Sequence, residues 1–447
     1  MLGGFLGAGK TTTLLRLALS LQRKGLRVGL ITNDQAAGLV DSALAEELNL
    51  PVREIAGGCF CCRSESLVEA LDRLDAHSQP QVFLAEPVGS CMDLVATVSL
   101  PLERIYQKGF VMAPYAVVVD PYRAMQSLGV EGELLFSPDV NYIYRKQLEE
   151  AEIIVINKVD VISPERLDRL RAALEREYPE ARILEIGSRD GIGVEALFEI
   201  LSNETGQTRK VMEVDYERYA VGEALLGWVN IQGNLEAGPE EPEVPSGKKG
   251  KGVKGREGAR ILNPPQSTDK EHGQVHGEGY ADALGRIANP RSVAGEGAGV
   301  PIDGNAWLMD LAEGIAERLT KLGIEVAHLK LSLTQGAGAV DKGMGGKGKG
   351  SRDKAGTGLA TGGGMAAVQW VRSGSAPELT RRMAEPLTGG RLLINLRAEA
   401  DPDVLVAATF AVLDGQMERR PRLVLSAVES QHFRPGKPVP THRVGTA

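Results

Sequence analysis

Gly4-Phe5-Leu6-Gly7-Ala8-Gly9-Lys10-Thr11-Thr12 is the stretch that decides the fold of this chain. It fits G-x-x-x-x-G-K-[ST], a loop that cradles nucleotide phosphates. Gly4, Gly7 and Gly9 let the backbone turn tightly and aim N–H groups at phosphate oxygens. Lys10 is suited to neutralising the β- and γ-phosphates, and Thr11 to placing its hydroxyl on Mg²⁺. From Thr12 to Leu21 apolar residues recur at helical spacing, so the phosphates are expected at a helix N-terminus. Only Met1, Leu2 and Gly3 precede the loop, whereas a P-loop normally follows a buried strand of about five or six residues. The first strand is therefore expected to be truncated, with the true start upstream.

Working outward, short apolar runs alternate with amphipathic segments up to residue 204. Strands are expected at 27–32, 51–55, 81–85, 115–119, 152–156 and 182–186, with helical patterns between them. This alternation predicts an α/β domain, a mostly parallel sheet with helices on both faces, whose ligands bind beyond the C-terminal ends of the strands. The chemistry-bearing residues fall at those ends. Asp34 follows the 27–32 strand, where it would hold a Mg²⁺-bound water or orient the attacking one, or else simply serve a turn. Cys59, Cys61 and Cys62 follow the 51–55 strand; three soft thiolates in four residues suit Zn²⁺, or Co²⁺ with similar geometry. Three thiolates leave a tetrahedral ion one ligand short, and Cys91 is a candidate for the fourth.

Glu86 ends the 81–85 strand in a Walker B arrangement, facing Mg²⁺ or its water shell. Gly89 stands where a backbone N–H could sense the γ-phosphate. Asn157-Lys158-Val159-Asp160 follows the 152–156 strand as N-K-x-D. Asp160 can accept two hydrogen bonds from guanine, the Lys158 stem can lie along the base, and Asn157 can brace the loop. Ser188, after the next strand, belongs to the expected second guanine loop.

The 447 residues suffice for two or three domains. A net charge of −8 gives no support to a dedicated nucleic-acid binder. Clustered thiols among only four cysteines point to a metal or redox site in a reducing compartment rather than to a disulfide framework. No apolar run reaches the length of a membrane span, and the expectation is a cytoplasmic protein.

Residues 4–12, Gly58-Cys59-Phe60-Cys61-Cys62, Glu86-Pro87-Val88-Gly89 and Asn157-Lys158-Val159-Asp160 together, in this order, resemble the CobW-like metallochaperone GTPases, relatives of HypB and UreG. The resemblance covers about the first 200 residues. It implies GTP hydrolysis coupled to delivery of zinc, cobalt or another transition metal to a client protein or pathway; a homodimer is left open by the sequence. It carries Cys59, Cys61 and Cys62 over as metal ligands, Lys10 and Thr11 as phosphate and Mg²⁺ residues, and Asn157, Lys158 and Asp160 as the guanine reader. Pro87-Val88 departs from the usual hydroxyl residues after Glu86, and Asn33-Asp34-Gln35 from the usual first switch. The alternative is a GTP-dependent regulatory or assembly switch with a structural zinc.

The expected domains are a P-loop GTPase domain over 1–204, a linker over 205–222, a smaller ferredoxin-like α+β domain over 223–417 and an extended tail over 418–447. In the second domain, strands are expected at 225–232, 324–333, 366–371 and 391–396, with helices at 305–322, 377–386 and 403–413. Gly-rich, aperiodic stretches at 233–303 and 336–364 read as disordered inserts. One sheet face is polar apart from Trp228 and Leu393, which suits docking toward the GTPase domain or a client.

Overall fold

A computed structural model describes residues 1–33, 40, 45, 48, 50–55, 58–107, 109–206, 211–238, 299–335 and 364–445. Asp34 and nearly all of both Gly-rich stretches lie outside the described residues.

In the first domain the strands are β1 (Leu2–Gly3), β2 (Val28–Asn33), β3 (Val52–Ile55), β4 (Val82–Glu86), β5 (Ala116–Val119), β6 (Ile153–Ile156) and β7 (Arg182–Glu185). They form two parallel sheets, ordered β3-β2-β4 and β1-β5-β6-β7, with β4 lying against β1 at the seam. Strands β5 and β6 are uniformly buried Val, Ile and Ala, as a strand covered by helices on both faces must be. Helix α1 (Lys10–Arg23) starts at Gly9, whose φ of +99° favours glycine; an added Cβ would meet Asn157 Nδ2 at 2.2 Å. Helices α2 (Ser64–Ser78), α3 (Leu100–Arg104), α4 (Pro121–Ser127), α5 (Pro138–Glu149), α6 (Pro164–Glu177) and α7 (Val194–Asn203) follow. Asp120 and Ser137 cap α4 and α5, each with proline next in the chain.

The 205–222 segment is not simply a linker. Helix α8 (Tyr216–Leu225) begins in it, capped by Asp215, and packs along α5. Gly222 makes that approach possible, since a Cβ there would meet Asp139 O at 2.6 Å.

The second domain is a six-stranded antiparallel sheet, ordered β11-β10-β9-β12-β8-β13. Its strands are β8 (Leu226–Ala237), β9 (Val326–Gln335), β10 (Met365–Trp370), β11 (Glu378–Arg381), β12 (Gly389–Glu399) and β13 (Leu423–Phe433). Helices α9 (Gly304–Lys321) and α10 (Pro402–Arg419) cover one face through Leu308, Leu311, Ile315, Leu405 and Leu413. Three expectations fail here. Residues 378–381 form a strand rather than a helix, because they pair with β10. Strand β8 runs on to Ala237 instead of stopping before 233, held by β12 and β13 on either side. The 418–447 tail contains β13, an edge strand of the sheet, before it turns back onto the first domain.

Glu150, at the end of α5, is a buried carboxyl. Glu150 accepts from Val95 N at 3.2 Å, and burial pushes its carboxyl up to about 8. A carboxyl raised above its unfolded value stabilises fully below about pH 4.5 and loses that contribution as pH rises through 8. Glu150→Gln is therefore expected to melt higher than the parent at pH 8.5, by about 2–4 °C per kcal/mol recovered, and no higher at pH 5. Thermal melts across pH 5–9 check this.

Candidate nucleotide and thiol sites

The P-loop forms the floor of a cavity of about 380 Å³ that lies between the two domains. Gly7, Gly9, Lys10, Thr11, Thr12, Glu86 and Gly89 all line it; Gly4 lies behind, with φ +130° and its Cα packed on the Val118 backbone. Thr11 donates to Glu86 Oε1 at 3.0 Å, and Lys10 Nζ lies 3.9 Å from the same oxygen and 3.3 Å from Phe5 O. A hydroxyl and a carboxylate oxygen converging beside a phosphate loop form a hard-oxygen set that fits Mg²⁺. Gly89 has no room for a side chain, since a Cβ would meet Leu6 N at 2.9 Å. Its carbonyl accepts from Gln147, which also donates to Cys91 O.

A second cavity of about 140 Å³ opens on the far side of Gly9 and Thr12 and holds Asn157, Lys158, Asp160 and Ser188. Asn157 donates to Ala8 O at 2.9 Å and accepts from Ser188 N at 3.0 Å, tying both loops to the P-loop. Lys158 takes a left-handed φ of +59°, which turns its ammonium back to Gly7 O (2.9 Å) and Asp120 (2.8 Å). Burial would raise the Asp120 carboxyl, but Lys158 and Arg123 outweigh it and hold it at about 2. Ser188 Oγ is 2.6 Å from Thr13 Oγ1, so its hydroxyl is held by α1 while its backbone serves the loop.

Cys59, Cys61 and Cys62 converge, with all three sulfurs within 4.8 Å of one another. The Cys59–Cys61 separation is 2.7 Å and Cys61–Cys62 is 3.6 Å. Tetrahedral zinc, with Zn–S near 2.3 Å, needs sulfurs about 3.8 Å apart. The donor set fits zinc, and Cys59 and Cys61 would have to spread by about 1 Å. The neighbouring thiols, Cys61 first, donate to Cys59 and hold it well below the usual thiol range, while Cys61 is pushed well up and Cys62 to about 12. Cys91 is buried beside Cys59 and Cys61 but lies outside the 4.8 Å group. Its own thiol is pushed up, by burial first.

Asn33, at the end of β2, joins the two sites. It lines the phosphate cavity, donates to Ile55 O (3.0 Å) and Gly58 O (2.7 Å), and accepts from Phe60 N at 2.9 Å. The cysteine loop is therefore hung on a side chain that lines the P-loop cavity.

Sequence reasoning missed the contributions of the second domain. His328, Lys330, Arg381 and Arg397 line the roof of the phosphate cavity. Arg123 reaches from α4 to Leu6 O (2.7 Å), Ala327 O (3.1 Å) and Val326 O (2.9 Å), and also donates to Val371 O. The alternation of His328 and Lys330 with buried leucines marked a polar face suited to docking toward the GTPase domain or a client, but not that it roofs this cavity. The 434–445 tail was also missed: Thr441 N donates to Cys61 O at 2.9 Å and Thr441 Oγ1 to Cys62 O at 3.0 Å. Arg443 anchors that crossing on Asp93 and Met212 O.

Residues 1–185 match the model of the family described as CobW/HypB/UreG, nucleotide-binding domain. The chain is similar to the zinc chaperone YeiR of Escherichia coli, 26% identical over 199 residues, covering 43% of this chain and 56% of that protein. It is similar to the zinc-regulated GTPase metalloprotein activator 1 of Dictyostelium discoideum, 26% identical over 241 residues, covering 48% and 50%. Among solved structures it resembles the hydrogenase maturation factor HypB of Archaeoglobus fulgidus at 20% identity and a TM-score of 0.31, covering 45% of this chain and 86% of that one. The chain spans about half the length of the curated relatives it matches. The likeness of this chain to the CobW/HypB/UreG family thus rests on residues 1–185, matched as a nucleotide-binding domain.

Proposed function

We propose that the protein hydrolyses GTP and uses the cycle to hold and release a transition metal, zinc first and cobalt second, for delivery to a client protein. The observation that carries this reading is Asn33, one side chain lining the phosphate cavity while bonded to both Gly58 and Phe60 of the cysteine loop. A γ-phosphate that moves the end of β2 would move the loop holding the thiols. Glu86 to Cys91 forms a second path, since Gln147 fastens Gly89 and Cys91 together.

In this reading Mg²⁺, when bound, neutralises charge shared between the β- and γ-phosphates. Lys10 holds those phosphates, Thr11 and Glu86 supply oxygens beside them, and the P-loop N–H groups fix their orientation. Asp34, which follows Asn33 in the chain, is read as the orienter of water. Asp160 selects guanine, Asn157 fixes its loop, and Ser188 supplies the backbone of the second base loop. Cys59, Cys61 and Cys62 bind the metal as cargo, and Cys91 stands near enough to complete the set after a small shift. We read the second domain as a ferredoxin-like βαββαβ unit, β8 to β13, extended by the β10–β11 hairpin.

A second reading is favoured by burial of Cys59 and Cys61: a regulatory or assembly switch whose zinc is structural. Equilibrium zinc binding with GDP and with a non-hydrolysable GTP analogue separates the two. The chaperone reading expects affinities differing by at least about tenfold, or roughly 1.4 kcal/mol. Identical affinities would sink it. No described helix is long and apolar enough to cross a membrane.

A further inference from the structure

We propose that Lys330 is a second phosphate-binding lysine, delivered by the C-terminal sheet to the γ-phosphate end of the nucleotide. The proposal rests on the GTP-hydrolysing reading for the identity of that nucleotide. Lys330 Nζ lies 3.5 Å from Thr11 Oγ1, on the opposite wall of the phosphate cavity from Lys10. Of the charged side chains lining that cavity, five are cationic and two are carboxylates, a surplus suited to a polyanion rather than to a neutral ligand.

The sheet fixes where this lysine stands. In register, Asn230, Asn395, Lys330 and Gln369 form one row across β8, β12, β9 and β10. Trp228, Arg397 and His328 form the next row. Both rows face the first domain: Asn395 Oδ1 accepts from Val40 N at 2.9 Å, and Val40 packs on Met365, Ala367 and Leu393. The sheet therefore contacts the segment that follows β2 as well as the phosphate loop.

Arg397 is locked, donating to Val229 O (2.9 Å) and Asn230 Oδ1 (2.8 Å) with its guanidinium 4.0 Å from the Trp228 ring centroid. Lys330 carries its ammonium on a flexible stem. Thr11 Oγ1 is the oxygen suited to Mg²⁺, so a divalent ion there would repel the ammonium and drive it along the cavity toward the γ-phosphate. In hydrolysis the water oxygen bonds to γ-phosphorus and the bond to the β–γ bridging oxygen breaks. Its electron pair stays on GDP, and the water proton passes to the released phosphate. A fixed cation at the γ-oxygens lowers the cost of that charge rearrangement.

The test uses the full chain with Lys330→Met, which keeps most of the stem. Turnover of GTP is expected to fall about 100-fold. Affinity for a non-hydrolysable GTP analogue should weaken while GDP affinity stays unchanged, and Lys330→Arg should recover part of both losses. Turnover within about twofold of the parent, or equal weakening of analogue and GDP, overturns the proposal. If the parent itself fails to turn over GTP, the hydrolytic reading falls, and the analogue-to-GDP affinity ratio still decides Lys330. If the parent prefers adenine, the same ratio is read with an ATP analogue and ADP.

Discussion

Arg123→Met is expected to destabilise the protein by about 3–5 kcal/mol, the usual cost of breaking a buried charge network from one side. The guanidinium is buried and is the only described group seen donating at once to the phosphate loop, at Leu6 O, and to the second domain, at Val326, Ala327 and Val371. It also lies over the Phe5 and Phe136 rings, 5.5 and 5.0 Å from their centroids, so methionine replaces part of the packing but none of the donors. Asp120 would lose one of the two cations that hold its carboxyl at about 2, leaving Lys158 alone. Urea unfolding should show a lower midpoint, and two transitions in place of one if the arginine is what couples the domains. A single transition at the parental midpoint would show that the shared apolar contacts suffice without it.

Cys61→Ser together with Cys62→Ser carries the other large effect. Removing two of three soft ligands is expected to weaken zinc binding at least 1000-fold, roughly 4 kcal/mol. The informative measurement is what happens to the fold. A cargo site predicts that the melting temperature and GTP affinity of the metal-free variant match those of the metal-free parent, because the loop is already held by Asn33 and Thr441. A structural site predicts that metal addition raises the parent's melting temperature strongly and leaves the variant's unchanged, with the variant poorly folded throughout.

The nucleotide-binding half of this picture was legible in the sequence because its chemistry is local. Gly4–Thr12 and Asn157–Asp160 sit just beyond a strand and Glu86 ends one, and a parallel α/β sheet delivers strand ends to one edge whatever the loops do between them. The roof was not legible. Lys330 reaches Thr11 only because residues 319 positions apart in the chain are brought together by the packing of two domains, and no spacing encodes that. Strand β13 was hidden for a different reason. Its alternation is interrupted at Ala427, which takes a φ of +48° where the pairing with β8 shifts register, and the run thereafter is polar because the strand lies at an edge. Glu378–Arg381 is four residues long, too short for periodicity to separate helix from strand. Asp120 and Arg123 were readable in principle, as an Asp-Pro start to a helix behind an apolar strand. Their partners were not.

The crossing of Thr441 over the cysteine loop has a consequence in time. Thr441 binds the carbonyl of Cys62 from 379 residues further along the chain. At about 5–20 residues per second, a ribosome needs roughly 20–75 s to make that intervening length. For that interval the three thiols have been made and the segment that crosses them has not. In a nascent chain the carbonyls of Cys61 and Cys62 therefore lack Thr441, which bonds to both in the finished chain. If the thiols hold a metal as proposed, loading during synthesis and loading afterwards are different reactions.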